Sequence, residues 1–355
     1  MITLLKDLIR IKSDDVQGAN EALLFCKGWL DKRNILSTVY EHQSRLMLVS
    51  EIGNGEECIV WNGHVDVVPG NHGQFEPYIV GDHLYGRGSA DMKAGLAAMM
   101  EAFYELSKNP QILLKRIQLH IVTDEETGGS FTSKYLVDQG YFGNFVICGE
   151  PTQLHIGLQA KGIVQLDIIL KGKSSHGSRP WEGINAIEKA FKFDQEMRKL
   201  SFLTASNAFY DYPSLNLAKI QAGERYNVVP DECVLSYDIR YVPGQNQDSI
   251  IAEIKETASH FSESEVIIHS TAPAVTTEEN NKYVDQLIIA TSKITKIKPN
   301  LFGQHGSADT RYYAEKGAGA IEFGPIGADW HGENEYVSIS SVEKYKQVLV
   351  SFALI

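Results

Sequence analysis

Ile117-Gln118-Leu119-His120-Ile121-Val122 runs without a break into Thr123-Asp124-Glu125-Glu126-Thr127-Gly128-Gly129. The first six residues, with Ile and Val at both ends, predict a buried strand. Adjacent carboxylates and paired glycines then predict a sharp turn at its end. The same order recurs on either side. Ile59-Val60-Trp61 leads to His64 and Asp66, and Phe145-Val146-Ile147-Cys148 leads to Glu150. Helical patterns fill the intervals. One covers Glu21 to Lys32, one begins after Asp91 with an apolar stripe through Ala94, Ala97, Ala98, Met99, Phe103 and Leu106, and a third follows Gly129. Strands alternating with helices predict an α/β fold with a mainly parallel sheet. In such sheets, sites gather in the crevice outside the carboxyl ends of the strands.

Between about 160 and 272 this alternation gives way to another pattern. Strands are expected at Ile163 to Leu170, near Leu215 to Ile220, and at Cys233 to Tyr241; helices are expected at Ile184 to about Leu200 and Asp248 to Phe261. None of the acid-bearing turns falls here. The alternation resumes after Pro273, with a helix around Tyr283 to Thr295 and a strand at Ala320 to Phe323. The expected organisation is therefore a catalytic domain from 1–159 and 273–355, interrupted by a smaller α+β domain at 160–272.

The chain has 355 residues, 43% of them hydrophobic and 22% charged, which leaves ample material for cores. Its 45 acidic residues against 33 basic give a net charge of -12. That argues against a nucleic-acid partner, which needs a basic face. The four cysteines form no CxxC pair and sit in apolar runs, as core thiols in a reducing compartment would. Met1 to Ile11 reads as an amphipathic first helix, since Lys6, Asp7 and Arg10 interrupt any signal-peptide core. No run of about 18 apolar residues predicts a membrane span, and the expected location is the cytoplasm.

Seven residues carry candidate metal chemistry: His64, Asp66, Asp91, Glu125, Glu126, Glu150 and His331. His64 and Asp66 lie two apart, on one face of an extended chain, so one can ligate while the other orients it. Asp91 stands where it serves either as a helix N-cap or as a ligand. Glu125 and Glu126, split by a turn, supply a metal ligand and a base facing a water; the alternative is an acidic, solvated helix start. The donor count fits two tetrahedral or five-coordinate metals sharing a carboxylate, and histidines and acids are ligands that zinc accepts. Gly86 and Gly88 make no dinucleotide fingerprint, because position 91 is Asp where the third glycine belongs. No GxSxG elbow supports a serine hydrolase. His120, His155, His260 and His269 read as structural.

Gly63-His64-Val65-Asp66-Val67-Val68-Pro69, Tyr85-Gly86-Arg87-Gly88 through Asp91-Met92-Lys93, Asp124-Glu125-Glu126 with its glycines, Gly149-Glu150-Pro151-Thr152, and His331 ahead of Glu335-Tyr336 together resemble the M20 metallopeptidase family. The match covers essentially the whole chain. The resemblance implies a zinc-peptidase-like catalytic domain and an inserted lid and dimerisation domain. It implies two Zn2+ per chain, with Co2+ or Mn2+ as substitutes. His64, Asp91 and Glu150 would hold one ion; Asp91, Glu126 and His331 would hold the other. Glu125 would be the general base and Asp66 the orienter of His64. Ser175-His176-Gly177-Ser178-Arg179-Pro180 matches the segment whose histidine, His176, reaches a partner subunit's site, which implies a homodimer. Asn227 and Arg240 would hold a substrate carboxylate, a task suited to a guanidinium fork. Arg179 and Ser307, in the run His305 to Asp309, would face the substrate.

The function this implies is removal of a small acyl group, acetyl or succinyl, from the nitrogen of an amino acid, as in the acetylornithine deacetylase and succinyl-diaminopimelate desuccinylase branch. A dipeptidase or carboxypeptidase is the alternative within the family. An inactive relative that only binds a small molecule is the alternative of another class, but such a chain is expected to lack a ligand or the base, and none is missing.

Overall fold

The structure, a computed structural model, describes residues 1–355 and divides into two compact units. The first comprises 1–158, 276–302 and 308–355; the second comprises 159–275 and 303–307. In chain order the elements begin with α1 (Ile2–Arg10), α2 (Val16–Asp31), β1 (Ser37–His42), β2 (Arg45–Ile52), β3 (Cys58–His64), β4 (Tyr78–Val80), β5 (His83–Tyr85), α3 (Lys93–Ser107), β6 (Arg116–Val122), α4 (Ser133–Asp138), β7 (Phe145–Cys148) and β8 (Ile156–Ala160). The second unit supplies β9 (Gly162–Lys171), α5 (Ala186–Met197), β10 (Ser214–Ala222), β11 (Glu232–Tyr241), α6 (Gln247–Ser259) and β12 (Ser264–Ala272). Then follow β13 (Val275–Thr276), α7 (Lys282–Thr295), β14 (Leu301–Gln304), α8 (Thr310–Ala314), β15 (Gly319–Glu322), β16 (Gly327–Ala328), β17 (Tyr336–Ser338) and α9 (Ile339–Ala353).

The main sheet runs β1-β2-β6-β3-β7-β15-β8-β13, with β14 beside β8. Its centre, β6-β3-β7-β15, is parallel, while β1, β2 and β8 join antiparallel. All seven residues of β3 and all four of β7 are buried, which accounts for their unbroken apolar runs. Helix α3 is buried nearly all round, from Lys93 to Phe103, and packs against β3, β6 and α9. Lys93 is no exception to the apolar rule: its ammonium donates to the carbonyls of Leu8 (2.9 Å) and Ile11 (3.1 Å), capping α1. The short strands β16-β17-β5-β4 form a separate antiparallel sheet.

The second unit is one antiparallel sheet, β10-β11-β9-β12, with α5 and α6 against it. β9 and β11 alternate buried and half-buried residues, as strands with one covered face do. Val164, Leu166, Ile168 and Leu170 meet Leu235, Tyr237 and Ile239 beneath Phe193 and Ile254. Burying each such aliphatic side chain is worth about 1.5–3 kcal/mol.

Residues 303–307 fall in the second unit, not in the C-terminal catalytic stretch expected at 273–355. Tyr210 is the reason. Its hydroxyl donates to the Gln304 carbonyl (2.8 Å), and its ring lies where a Cβ on Gly303 would be. All four cysteines are free and buried. No helix is long and apolar enough to cross a membrane.

Candidate active site

Three neighbouring parallel strands deliver acids and a histidine to the same end of the sheet. His64 closes β3 opposite Val122 of β6, and Glu125 and Glu126 follow β6 in a tight turn. Glu150 follows β7 on the other flank of β3. Asp91 precedes α3, and His331 lies in the loop between β16 and β17. All seven acid and histidine candidates belong to the first unit.

The His64 ring is fixed by its own strand end. Its Nδ1 donates to the main-chain carbonyl of Asp66 at 2.9 Å, so Nε2 carries the lone pair. That lone pair faces Asp91 Oδ1 at 3.1 Å and Glu150 Oε1 at 3.7 Å. Three acceptors facing one another require a proton or a cation between them. On the opposite side, His331 Nε2 lies 3.4 Å from Asp91 Oδ2 and 3.2 Å from Glu126 Oε2. Asp91 thus offers one oxygen to each histidine. The remaining oxygen of Glu126, Oε1, is buried without a hydrogen-bond partner, and donor atoms of His64, Asp91 and Glu126 lie within 4.8 Å of one another. This donor set fits two divalent cations flanking Asp91.

The electrostatics agree. Burial disfavours a charged His64, yet the carboxylates of Asp66, Asp91 and Glu150 hold its proton affinity well above the histidine range. Asp91 and Glu126 raise His331 to about 10. Burial would raise Asp91, but His331 and His64 hold it well below the carboxylate range. Glu150 is pushed well above that range by burial and then by Asp91. Burial, with the negative charges of Asp309, Glu126 and Asp91 and against the pull of His64, raises Glu125 in the same direction. Without cations, the cluster is frustrated by its own negative charge.

Two sequence readings change in detail. Asp91 is not the N-cap of α3: Met92 occupies that position with no side-chain cap, across a cis Asp91–Met92 peptide. Asp66 holds His64 chiefly through its main-chain oxygen, since its carboxylate Oδ1 is 3.5 Å from the ring nitrogen. Its Oδ2 instead accepts the Glu126 amide at 3.0 Å, which ties the β3 end to the β6 turn.

Arg87 and Glu335 carry a role that sequence reasoning missed, although both fall beside candidate ligands in the chain. Both are buried, 2.8 Å apart. Glu335 also accepts the amides of Gly88 (2.9 Å), Ala90 (2.9 Å) and Asp91 (3.1 Å), while Arg87 Nη2 donates to the His331 carbonyl at 3.2 Å. One ion pair therefore holds the Asp91 loop and the His331 loop together.

The remaining candidates lie in the second unit. His176 is exposed, with Nδ1 2.8 Å from Ser178 Oγ, and its backbone pairs with Val228. Gly177 N donates to the Asn227 carbonyl (2.8 Å) and Arg179 N to the His176 carbonyl (2.8 Å), so His176, Arg179 and Asn227 share one loop cluster. Arg240 is engaged on its forked face by Asp238, at 2.6 and 3.0 Å, so a substrate carboxylate would meet Arg240 in competition with Asp238. Ser307 lies in the 303–307 segment of the same unit.

The sequence pattern of peptidase family M20/M25/M40 matches residues 60–355. The chain belongs to that family. Solved structures share its fold across 99% of the chain at low identity. They include an M20 metallo-carboxypeptidase from Sulfolobus solfataricus (TM-score 0.84, 19% identity, 98% of that chain). They also include an aminopeptidase from Bacillus cereus (0.83, 19%, 97%) and a dinuclear metal-binding M20 peptidase from Bacillus subtilis (0.73, 15%, 96%). This M20 protein is a metal-dependent hydrolase of amide bonds.

Proposed function

We propose that this M20 hydrolase is a di-zinc amidohydrolase that removes a small acyl group, acetyl or succinyl, from the nitrogen of an amino-acid substrate. The observation that supports the two-metal amide-hydrolase part of this reading is Asp91, with one oxygen toward His64 and the other toward His331, beside the Glu125–Glu126 turn; the acyl group rests on the motif resemblance. When bound, a pair of divalent cations supplies a water that ionises near neutral pH and a Lewis acid for the acyl oxygen. The protein's own groups do the rest. Glu125 takes a proton at its carboxylate as the acyl carbon is attacked, and then returns it to the leaving nitrogen. His176, contributed by the partner of a homodimer, donates to the developing oxyanion. Asn227 and Arg240 hold the substrate carboxylate, and Arg179 and Ser307 face the substrate. We assign the protein to the cytoplasm.

Glu125→Gln keeps the side-chain shape and removes the base. It should lower kcat about 100- to 10,000-fold while two metal equivalents stay bound. Near-normal turnover in the fully loaded variant would reject Glu125 as the base.

A peptidase reading is favoured by one finding: similar folds belong to a carboxypeptidase and an aminopeptidase. Assaying the zinc-loaded protein on N-acetylornithine, N-succinyl-diaminopimelate, and panels of di- and tripeptides separates the two. Turnover confined to peptides would overturn the deacylase assignment. Failure to bind metal or to hydrolyse any member would favour a binding protein.

A further inference from the structure

The Glu125–Glu126 pair works only if the turn that carries it keeps the two carboxylates apart, and that turn has an unusual anchor. Gly128 (φ 105°) and Gly129 (φ 63°) both adopt left-handed backbone that other residues rarely take. Inside the turn, Gly128 N donates to the Glu125 carbonyl (2.7 Å) and Gly129 N to the Asp124 carbonyl (2.8 Å). The outward-facing carbonyl of Gly128 accepts two further hydrogen bonds, from Arg311 Nη2 at 2.6 Å and from the Tyr312 hydroxyl. Both donors come from α8, roughly 180 residues away in sequence.

The approach is built to be close. A Cβ on Gly129 would fall 1.9 Å from Asp309 Oδ1 and 3.0 Å from the Tyr312 ring. Asp309 itself is buried and accepts from the Ser133 hydroxyl at the start of α4. The Arg311 guanidinium is buried as well. Burial works against its charge, while Tyr312, Asp309 and Glu125 support it, so the guanidinium stays ionised beside the turn.

We propose that Arg311 and Tyr312 are positioning residues that clamp the Gly128 carbonyl and thereby fix where Glu125 and Glu126 point. This rests on the reading of Glu125 as the base. Arg311 and Tyr312 act on the turn from behind and need not touch substrate. The bond from a charged guanidinium is the stronger of the two, so Arg311 carries more of the effect than Tyr312.

The test uses the full chain loaded with zinc, with three variants: Arg311→Met, Arg311→Lys and Tyr312→Phe. Amide exchange over 124–129 is read by mass spectrometry alongside kcat, KM, bound zinc and Tm. The clamp predicts that Arg311→Met speeds exchange of the Gly128 and Gly129 amides about tenfold, because the turn opens locally. It also predicts a fall in kcat of about 100-fold with little change in KM, as displacement of a catalytic group by about 1 Å does. Arg311→Lys should restore part of both. Tyr312→Phe, the mildest change, should move exchange in the same direction by a smaller factor and keep the protein folded. Unchanged exchange at Gly128 and Gly129 in folded Arg311→Met and Tyr312→Phe would overturn the proposal. So would a loss of kcat matched by an equal loss of Tm and zinc and not relieved by lysine. If the parent protein hydrolyses nothing, the function proposal falls, while the exchange measurement still decides the clamp.

Discussion

Glu335 accepts four hydrogen bonds in the interior, one from the Arg87 guanidinium and three from the amides of Gly88, Ala90 and Asp91. Glu335→Gln leaves Arg87 buried without its counter-charge, and removing one member of a buried pair costs about 3–5 kcal/mol. Denaturant unfolding should show that loss, with weaker zinc retention because the Asp91 and His331 loops separate. Parent-like stability would mean that water compensates Arg87. His120 makes a different kind of prediction. Its Nε2 donates to Gln118 Oε1 (3.1 Å), while Nδ1 accepts from the Tyr313 hydroxyl (2.9 Å), and the Tyr141 ring meets it edge-on. Both nitrogens are satisfied only in the neutral ring, and burial lowers its proton affinity to about 3. The folded value lies below the unfolded one, so this contribution is complete above the unfolded value of about 6.5 and is lost as pH falls from there toward 3. Between pH 7 and pH 5 the protein should lose about 2 kcal/mol through this ring alone. His120→Gln should unfold with a shallower pH dependence; equal dependence in both proteins would exclude His120 as its source.

The ends of β3, β6 and β7 were legible in the sequence because apolar strand runs stop abruptly at an acid or a histidine. α3 was legible from its apolar stripe, and its packing supports a sharper prediction. A Cβ on Gly95 would fall 2.0 Å from the Gly149 carbonyl oxygen, so this glycine lets α3 rest on the end of β7 next to Glu150. Gly95→Ala should destabilise the protein by about 1–3 kcal/mol, as overpacking does, and should reduce bound zinc by displacing Glu150. A fully loaded, equally stable variant would show that α3 can shift freely. Other features were hidden for physical reasons. β16, β17, β5 and β4 have two or three residues each, too few for a period to appear. The Arg87–Glu335 pair joins residues 248 apart, and its partner choice has no local signal. The motif around Asp91 allowed a capping role, and only the placement of Met92 at the N-cap removed it.

Across the whole first unit, the donors come from five separate stretches of chain, and the five carboxylates of Asp66, Asp91, Glu125, Glu126 and Glu150 share one neighbourhood. Chelation should therefore lower the melting temperature as well as activity. A ligand at a hundred times its Kd adds about 2.7 kcal/mol to the folded state, and restoring zinc should recover both properties. An unchanged Tm after complete metal removal would mean that the fold tolerates the bare acids. The compactness of this unit also depends on a late arrival. β15 is wedged between β7 and β8, which are near neighbours in sequence yet not in the sheet. On the ribosome, roughly 170 residues must be added after β7 before β15 exists, an interval of about 10 to 30 seconds at ordinary elongation rates. Throughout that time the edge of Phe145-Val146-Ile147-Cys148 has no neighbour on one side. The nascent chain must keep this sticky edge from pairing with another chain, which makes the β7 edge the point where a chaperone would matter most.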